Sequence, residues 1–317
     1  MDSHPLVSVV VITYNSSATV VETLESIKQQ TYKNIELIVT DDCSTDNSVD
    51  ICQQWIEANK DNFVHAVMLT ARQNTGMSAN CNRGCTKATG EWIKLIAADD
   101  RLLPNCICDY VNFINDNPDT KIAFSKVIPF GDKERLKDWA WADNSLLFEK
   151  FSHRQLGIIL CYCDPLPTAS IFFRRDTLLS LGGFDENIPL LEDWPLLMRA
   201  VNKAGIHISF MNKETAEYRF SITSISNNTY TEQFQKNIDM CFSLGHYYLR
   251  KMSPFAPFYL FTVSHANDNI LMRCFHFINI FNPFYHELQH VLKLFRKIKK
   301  IQHDRLHQKY DLDWKNK

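Results

Sequence analysis

The sequence predicts an α/β fold: a doubly wound, mostly parallel sheet flanked by helices and followed by a helical C-terminal region. Three observations carry that expectation. The first apolar run, VSVVVIT over Val7–Thr13, is β-branched with a single Ser in it, as in a strand buried on both faces. Strand-like runs then alternate with segments of helical spacing as far as Asp100. The clearest strands also end in polar or acidic residues: Thr13, Tyr14 and Asn15 after the first, Asp41 and Asp42 after the second, Asp99 and Asp100 after the fourth. Ligands of open α/β sheets bind outside the carboxyl ends of the strands, so these residues mark one chemical rim.

The elements follow in order. Val20, Val21, Leu24 and Ile27 recur at helical spacing before a turn at 31–34, and 35–40 reads as a second buried strand. The polar turn 43–47 leads into a helix bearing Val49, Ile51, Cys52, Trp55 and Ile56. Residues 64–69 read as a third strand, 78–86 as a helix and 92–97 as a fourth strand. Beyond these come a helix near 106–115, a strand near 122–128 and an irregular, Trp-bearing stretch over 130–144. The second half predicts a strand at 168–173, a short helix at 176–181, a loop at 185–191 and a helix at 193–204. Strands at 206–210 and 217–220 complete the sheet. After about Thr229 the chain is aromatic and helical, interrupted at Pro254 and Pro257, and reads as a separate appendage.

A chain of 317 residues with 45% hydrophobic and 22% charged positions can bury a sizeable core, which excludes a disordered or fibrous protein. The length divides into a domain at 1–228, with halves at about 1–128 and 129–228, and a helical region at 229–317. A net charge of −2 names no partner. The ten cysteines form neither a CxxC pair nor a Cys/His cluster of zinc spacing, which disfavours metal fingers and indicates reduced thiols. No secretory signal pattern opens the sequence and no run of about 18 apolar residues occurs, so the expected location is cytoplasmic.

Adjacent carboxylates on one rim repel, and a hard divalent cation held together with substrate phosphates relieves them. Neither GxxxxGK[ST] nor a GxGxxG after the first strand is present, which disfavours the P-loop and dinucleotide readings. Any single Asp here reads equally well as a helix cap or turn residue. Two pairs at the same rim favour a site.

Four ordered motifs give the sequence a family likeness: VSVVVITYN, IELIVTDDCSTDNS, NTGMSANCNRGCTKATGEWIKLIAADD and GGFDENIPLLEDW. Together they resemble the family 2 inverting glycosyltransferases of the GT-A fold, a Rossmann-like sheet, over residues 7 to about 225. By position, the resemblance implies a nucleotide-sugar donor, a uridine diphosphate sugar above others, and a glycan or lipid-linked acceptor in bacterial surface-polysaccharide assembly. Thr13, Tyr14 and Asn15 would line the nucleoside pocket, with Tyr14 stacking, and Asp42 would accept the base N3–H. Asp99 would hold the ribose and Asp100 would bind Mn²⁺ or Mg²⁺ against the diphosphate. Asp193 would be the catalytic base that deprotonates the acceptor hydroxyl. Glu192, Asp41, Trp194 and Arg219 are further candidates, Trp194 either as a packing residue or as a surface for a sugar ring.

The likeness departs in three places. Ala97 stands where an acidic residue often precedes the Asp pair, and no His follows Tyr218 and Arg219 to serve as a metal ligand. Cys81 stands where many members carry Arg, leaving Arg83 or Arg72 to substitute in donor binding. These departures keep a catalytically degenerate glycan-binding or scaffold protein as the rival reading. A sugar-nucleotide pyrophosphorylase is the weaker rival, since it would need a Gly/Arg/Lys-rich loop after the first strand. Over 293–309, seven Lys/Arg stand against one Asp, interleaved with Leu294, Phe295, Ile298 and Ile301. That is a solvated helix end, or else a peripheral contact with the inner face of an anionic membrane. No nucleic-acid module accompanies it.

Overall fold

The computed structural model describes residues 4–132, 144–221, 231–264 and 278–309. The expected Trp-bearing stretch lies largely outside them, as does the expected boundary near 228. Strand β1 (Val7–Thr13) runs parallel between β2 (Ile35–Asp41) and β4 (Trp92–Ala97), and β3 (His65–Thr70) adds in parallel outside β2. The register sets Thr13 opposite Asp41 and Ile12 opposite Ala97, so the ends of the three central strands fall side by side.

Both faces of this block are covered, which is why β1 and β2 carry no alternation of polar residues. Val9 and Val11 pack beneath α1 (Val20–Lys28), α2 (Ser48–Asn59) and α4 (Cys106–Asp116). Val10 and Ile12 belong to a second cluster on the other face, with α3 (Met77–Lys87). The buried side of α3 is made of small residues: Ser78, Asn80, Cys81, Gly84 and Cys85. A Cβ on Gly84 would lie 2.4 Å from Val10 Cγ1, so glycine there lets α3 lie flat on β1 and β2.

The rest of the sheet is mixed. Strands β5 (Arg101–Leu102), β6 (Ile122–Gly131), β7 (Phe172–Arg174) and β8 (Ile208–Phe220) complete the order β3-β2-β1-β4-β7-β6-β8-β5. β7 is antiparallel to β4 and β6, β8 is parallel to β6, and β5 is antiparallel to β8. The two strands expected at 206–210 and 217–220 are one strand, irregular in register opposite Ser125 to Val127. The strand expected at 168–173 is instead a 3₁₀ turn at Thr168–Ser170 followed by β7, because buried side chains take its carbonyls.

The connecting helices are α5 (Ser145–Lys150), α6 (His153–Leu160), α7 (Arg175–Ser180) and α8 (Asp193–Met198). A capping box of Ser152 and Gln155 starts α6. The helix expected at 193–204 is α-helical only to Met198 and widens into a π turn over Arg199–Lys203, where Ala204 N–H bonds the Arg199 carbonyl.

At the C-terminus, α9 (Glu232–Met252), α10 (Ala256–Ser264) and α11 (Pro283–Lys309) follow. Pro254 falls in the break before α10, whereas Pro257 sits inside its first turn, where a missing N–H costs nothing. These helices do not stand apart. Phe284, Leu288, Val291, Phe295 and Ile298 of α11 are buried in the same cluster as α6, α8 and the sheet. Burial of each contributes about 1.5–3 kcal/mol of transfer free energy. The apolar stripe of the basic helix is thus spent on the core, while Lys293, Arg296, Lys297, Lys299 and Lys300 face outwards. Among the described residues no helix is long and apolar enough to cross a membrane.

Candidate active site

The rim begins with two sharp turns. Asn15, the second residue past β1, and Cys43, directly after Asp41–Asp42, have φ of 48° and 65°, the left-handed region. They bring the two loops together: Asn15 N–H donates to Ser44 Oγ at 2.8 Å and its Oδ1 accepts from Thr45 N–H at 2.8 Å. Asp41 is buried and accepts from Ser44 N–H at 2.8 Å. Burial works against the charge of Asp46, yet hydrogen bonds from Ser48 and Ser17 hold its carboxyl down at about 2. This half of the rim is a framework of satisfied carboxylates. Tyr14 projects from it, 45% exposed, while the Thr13 hydroxyl is buried behind it with no partner among the described residues.

Asp42 is saturated in the same way. Its Oδ2 accepts from Thr75 N–H at 2.9 Å and Gly76 N–H at 2.7 Å, and its Oδ1 from Thr75 Oγ1 at 2.5 Å and Arg83 Nη2 at 3.1 Å. A carboxylate offers about four acceptor sites, so all are taken. Arg83 is correspondingly occupied. It also donates to Asn80 Oδ1 at 2.7 Å, Thr75 Oγ1 at 2.8 Å and the Asp41 carbonyl at 3.3 Å. It therefore holds the framework together and does not stand free to meet a phosphate; Arg72, the other candidate, is exposed on the loop after β3. Cys81 is buried, and burial pushes its thiol well up, so it offers no thiolate.

The pair after β4 has different surroundings. Asp100 is 2% exposed and accepts Arg219 N–H at 2.8 Å, a contact delivered by the pairing of β5 with β8. No side chain donates to the Asp99 carboxylate among the described residues; Arg219 Nε donates instead to the Asp99 carbonyl, at 2.7 Å. Burial raises the pKa of both acids. The charge of Asp99 raises Asp100 further, and Arg219 and the buried Lys94 only partly offset it. Arg219 is fixed by Glu22 at 2.6 Å and by the Phe130 ring at 4.4 Å, on which Arg101 also stacks at 4.1 Å. Among the described residues no three His, Cys, Asp or Glu side chains converge as a metal cage. A divalent ion shared with a diphosphate needs only one or two carboxylates, and this crowded, under-neutralised pair fits that mode.

A second under-paired group sits at the start of α8. Asp193 Oδ1 accepts from Trp194 N–H at 2.8 Å and its Oδ2 from the Thr168 hydroxyl. Burial raises the Asp193 carboxyl, and burial together with the Asp193 charge pushes Glu192 up to about 8. Asp164, which the sequence reading missed, joins them from the α6–β7 loop. It accepts Leu166 N–H at 2.8 Å, its other oxygen is buried without a partner among the described residues, and burial plus the Asp193 charge push it well up. The only local signal for it is a lone carboxylate in the apolar stretch 158–166. Trp194 is an internal anchor and does not offer a sugar platform: it is 5% exposed, and its indole N–H donates to the Leu160 carbonyl at 2.6 Å.

Helix α3 joins the two regions. Its N-terminal loop holds Asp42, while Ser78 Oγ donates to the Ile188 carbonyl at 2.7 Å and Asn82 Nδ2 to the Phe184 carbonyl at 2.9 Å. Gly76, at φ 90°, comes so close to Pro189 that a Cβ would lie 2.6 Å from its side chain. The loop leading to Glu192 and Asp193 is thereby fixed to the donor rim. A cavity of about 300 Å³ lined by Phe148, His153, His207 and Phe210 involves none of these residues.

A sheet of this order, with acidic pairs closing its strands, is the GT-A glycosyltransferase fold. The structure resembles Staphylococcus aureus TarS 1–349 in complex with UDP-GlcNAc, at a TM-score of 0.56 and 17% identity over 96% of this chain and 91% of that one. It also resembles the mannosyltransferase PcManGT of Pyrobaculum calidifontis in complex with GDP-Man and Mn²⁺, at a TM-score of 0.50 and 15% identity over 99% of this chain and 88% of that one. A PGL/p-HBAD biosynthesis glycosyltransferase of Mycobacterium bovis is 24% identical over 76% of this chain and 87% of its own length. Glycosyltransferase GlyG of Streptococcus pneumoniae is 42% identical over a shorter stretch, 32% of this chain and 33% of that protein. The model of glycosyl transferase family 2 matches residues 8–175, more than half of the chain, and the chain belongs to that family.

Proposed function

We propose that this protein is an inverting, metal-dependent glycosyltransferase. It moves a sugar from a nucleotide diphosphate donor, a UDP-sugar above others, to a glycan or lipid-linked acceptor in bacterial surface-polysaccharide assembly. The observation that carries this reading is Asp193: a half-buried carboxylate with raised proton affinity, oriented by two hydrogen bonds and sharing its surroundings with two further acids. Such a group suits removal of a proton from an acceptor hydroxyl as that oxygen attacks the anomeric carbon on the face opposite the departing diphosphate. One base suffices for inversion.

Asp100 with Asp99 would hold a divalent ion, which when bound neutralises the charge of the diphosphate. The exposed Tyr14 ring is suited to stacking on the nucleobase. Asp42 meets a base N3–H only by exchanging one of its four donors, and the rotatable Thr75 hydroxyl is the one that can swing away. Peripheral contact with a cytoplasmic membrane face through α11 would be electrostatic, about 1 kcal/mol for each basic side chain near anionic lipid, since its apolar stripe is already buried.

The test is thermal stability in UDP, GDP, CDP and dTDP, each with and without Mn²⁺. Ligand at 100 times its dissociation constant stabilises by about 2.7 kcal/mol. A stabilisation by UDP that requires Mn²⁺ is the expected result. A folded sample that shifts with no nucleotide would favour the degenerate scaffold, for which Ala97 and the buried Cys81 speak.

A further inference from the structure

The Pro167–Ile171 turn is held from the core by two fully buried polar side chains, Lys94 and Tyr110. Lys94, in the middle of β4, is fully buried, and its ammonium donates to the carbonyls of Ala169 at 2.5 Å, Leu95 at 3.0 Å and Ile171 at 3.3 Å. Tyr110 of α4 is also fully buried; its hydroxyl bonds the Ser170 carbonyl and lies 2.9 Å from Ser125 Oγ. Three consecutive carbonyls, Ala169, Ser170 and Ile171, are thus pinned from beneath. Ser170 N–H closes the turn on the Pro167 carbonyl at 3.0 Å. Burying an ammonium in the core is costly; here three carbonyls and the charge of Asp100 offset that cost. What the pinned turn presents is Thr168, whose hydroxyl donates to Asp193.

We propose that Thr168 is the positioning residue of the base: the Lys94–Tyr110 clamp fixes the turn, Thr168 takes one Asp193 oxygen and Trp194 N–H the other, so the carboxylate is held in a single orientation with its remaining lone pairs for the acceptor proton. The clamp also ties this turn to β4, the strand that leads into Asp99 and Asp100, and so links the two under-paired acidic groups mechanically. The role assigned to Thr168 rests on the reading of Asp193 as the base. The hydrogen bond itself can be tested without that reading.

A hydrogen bond to the charged form of a carboxylate lowers its proton affinity. The groups that face Asp193 are Glu192 on its own element, Asp164 from the α6–β7 loop, Cys81 of α3 and Cys241 of α9. The test is a ¹³C-carboxyl NMR titration of the protein labelled at its Asp side chains, with Asp193 assigned through Asp193→Asn. Thr168→Val should raise the Asp193 midpoint by about one pH unit or more. Thr168→Ser should restore it, and Tyr110→Phe should move it in the same direction by less. An Asp193 midpoint in Thr168→Val equal to that of the parent protein would overturn the assignment. Sugar transfer that survives in Asp193→Asn would remove the base reading and leave the titration result standing, so the two failures are distinguishable.

Discussion

Two acidic pairs close neighbouring regions of the same rim, and their surroundings give them opposite properties. Asp41 and Asp42 are held by backbone N–H groups, hydroxyls and Arg83, with every acceptor site of Asp42 filled. Asp99 and Asp100 are as close together, but burial and mutual repulsion raise them, and Arg219 reaches them mainly through its backbone and through a carbonyl. Glu192 and Asp193 repeat the second situation. A carboxylate whose donors are already in place builds a frame. One left short of positive charge is poised for a cation or a proton.

Substitution should separate the two kinds. Asp100→Asn is expected to lower sugar transfer by about two orders of magnitude or more and to abolish the Mn²⁺-dependent part of nucleotide stabilisation. It should leave the melting temperature of the free protein unchanged or higher, because a repelled charge is gone. Differential scanning fluorimetry with and without metal reads both effects, and metal dependence that survives would move the ion elsewhere. Asp42→Ala should do the reverse, costing about 3 kcal/mol of stability in denaturant unfolding by leaving Arg83 and two backbone N–H groups unpaired. A stability unchanged in that variant would show that the four donors find other partners.

A third effect concerns pH. Glu192 rises to about 8 in the folded protein from an ordinary carboxylate value when unfolded, so the folded state binds the extra proton between them. The stability this group contributes is present at acid pH and lost as pH rises through about 8. Glu192→Gln should therefore raise the melting temperature at pH 9 and leave it little changed at pH 4. Equal shifts at both values would mean that Glu192 is not the group being relieved.

Much of this contrast was legible in the sequence, and the rest depends on tertiary contacts. The unbroken run of Val7–Thr13 encodes a doubly covered strand, and the parallel register then forces Thr13 and Asp41 side by side. The acidic pairs were visible, but a pair reads the same whether or not donors surround it. Arg83 looked like a donor contact because nothing local shows that Asp42, Asn80 and Thr75 converge on it. The turn at Thr168–Ser170 looked like a strand because its apolar pattern does not register that Lys94 and Tyr110 take its carbonyls. Asp164 carried no motif, and the destination of the α11 stripe was hidden for the same reason: amphipathic spacing specifies a face, not what covers it.

The central claim is that Asp193 performs the proton transfer while the saturated carboxylates of the rim serve as a frame. The most direct measurement sets Asp193→Asn beside the parent protein, reading sugar transfer at saturating donor together with nucleotide-induced stabilisation. Transfer is expected to fall about a thousandfold while the nucleotide and Mn²⁺ shift stays intact and the free protein is at least as stable. Full transfer in Asp193→Asn would contradict the assignment of the base.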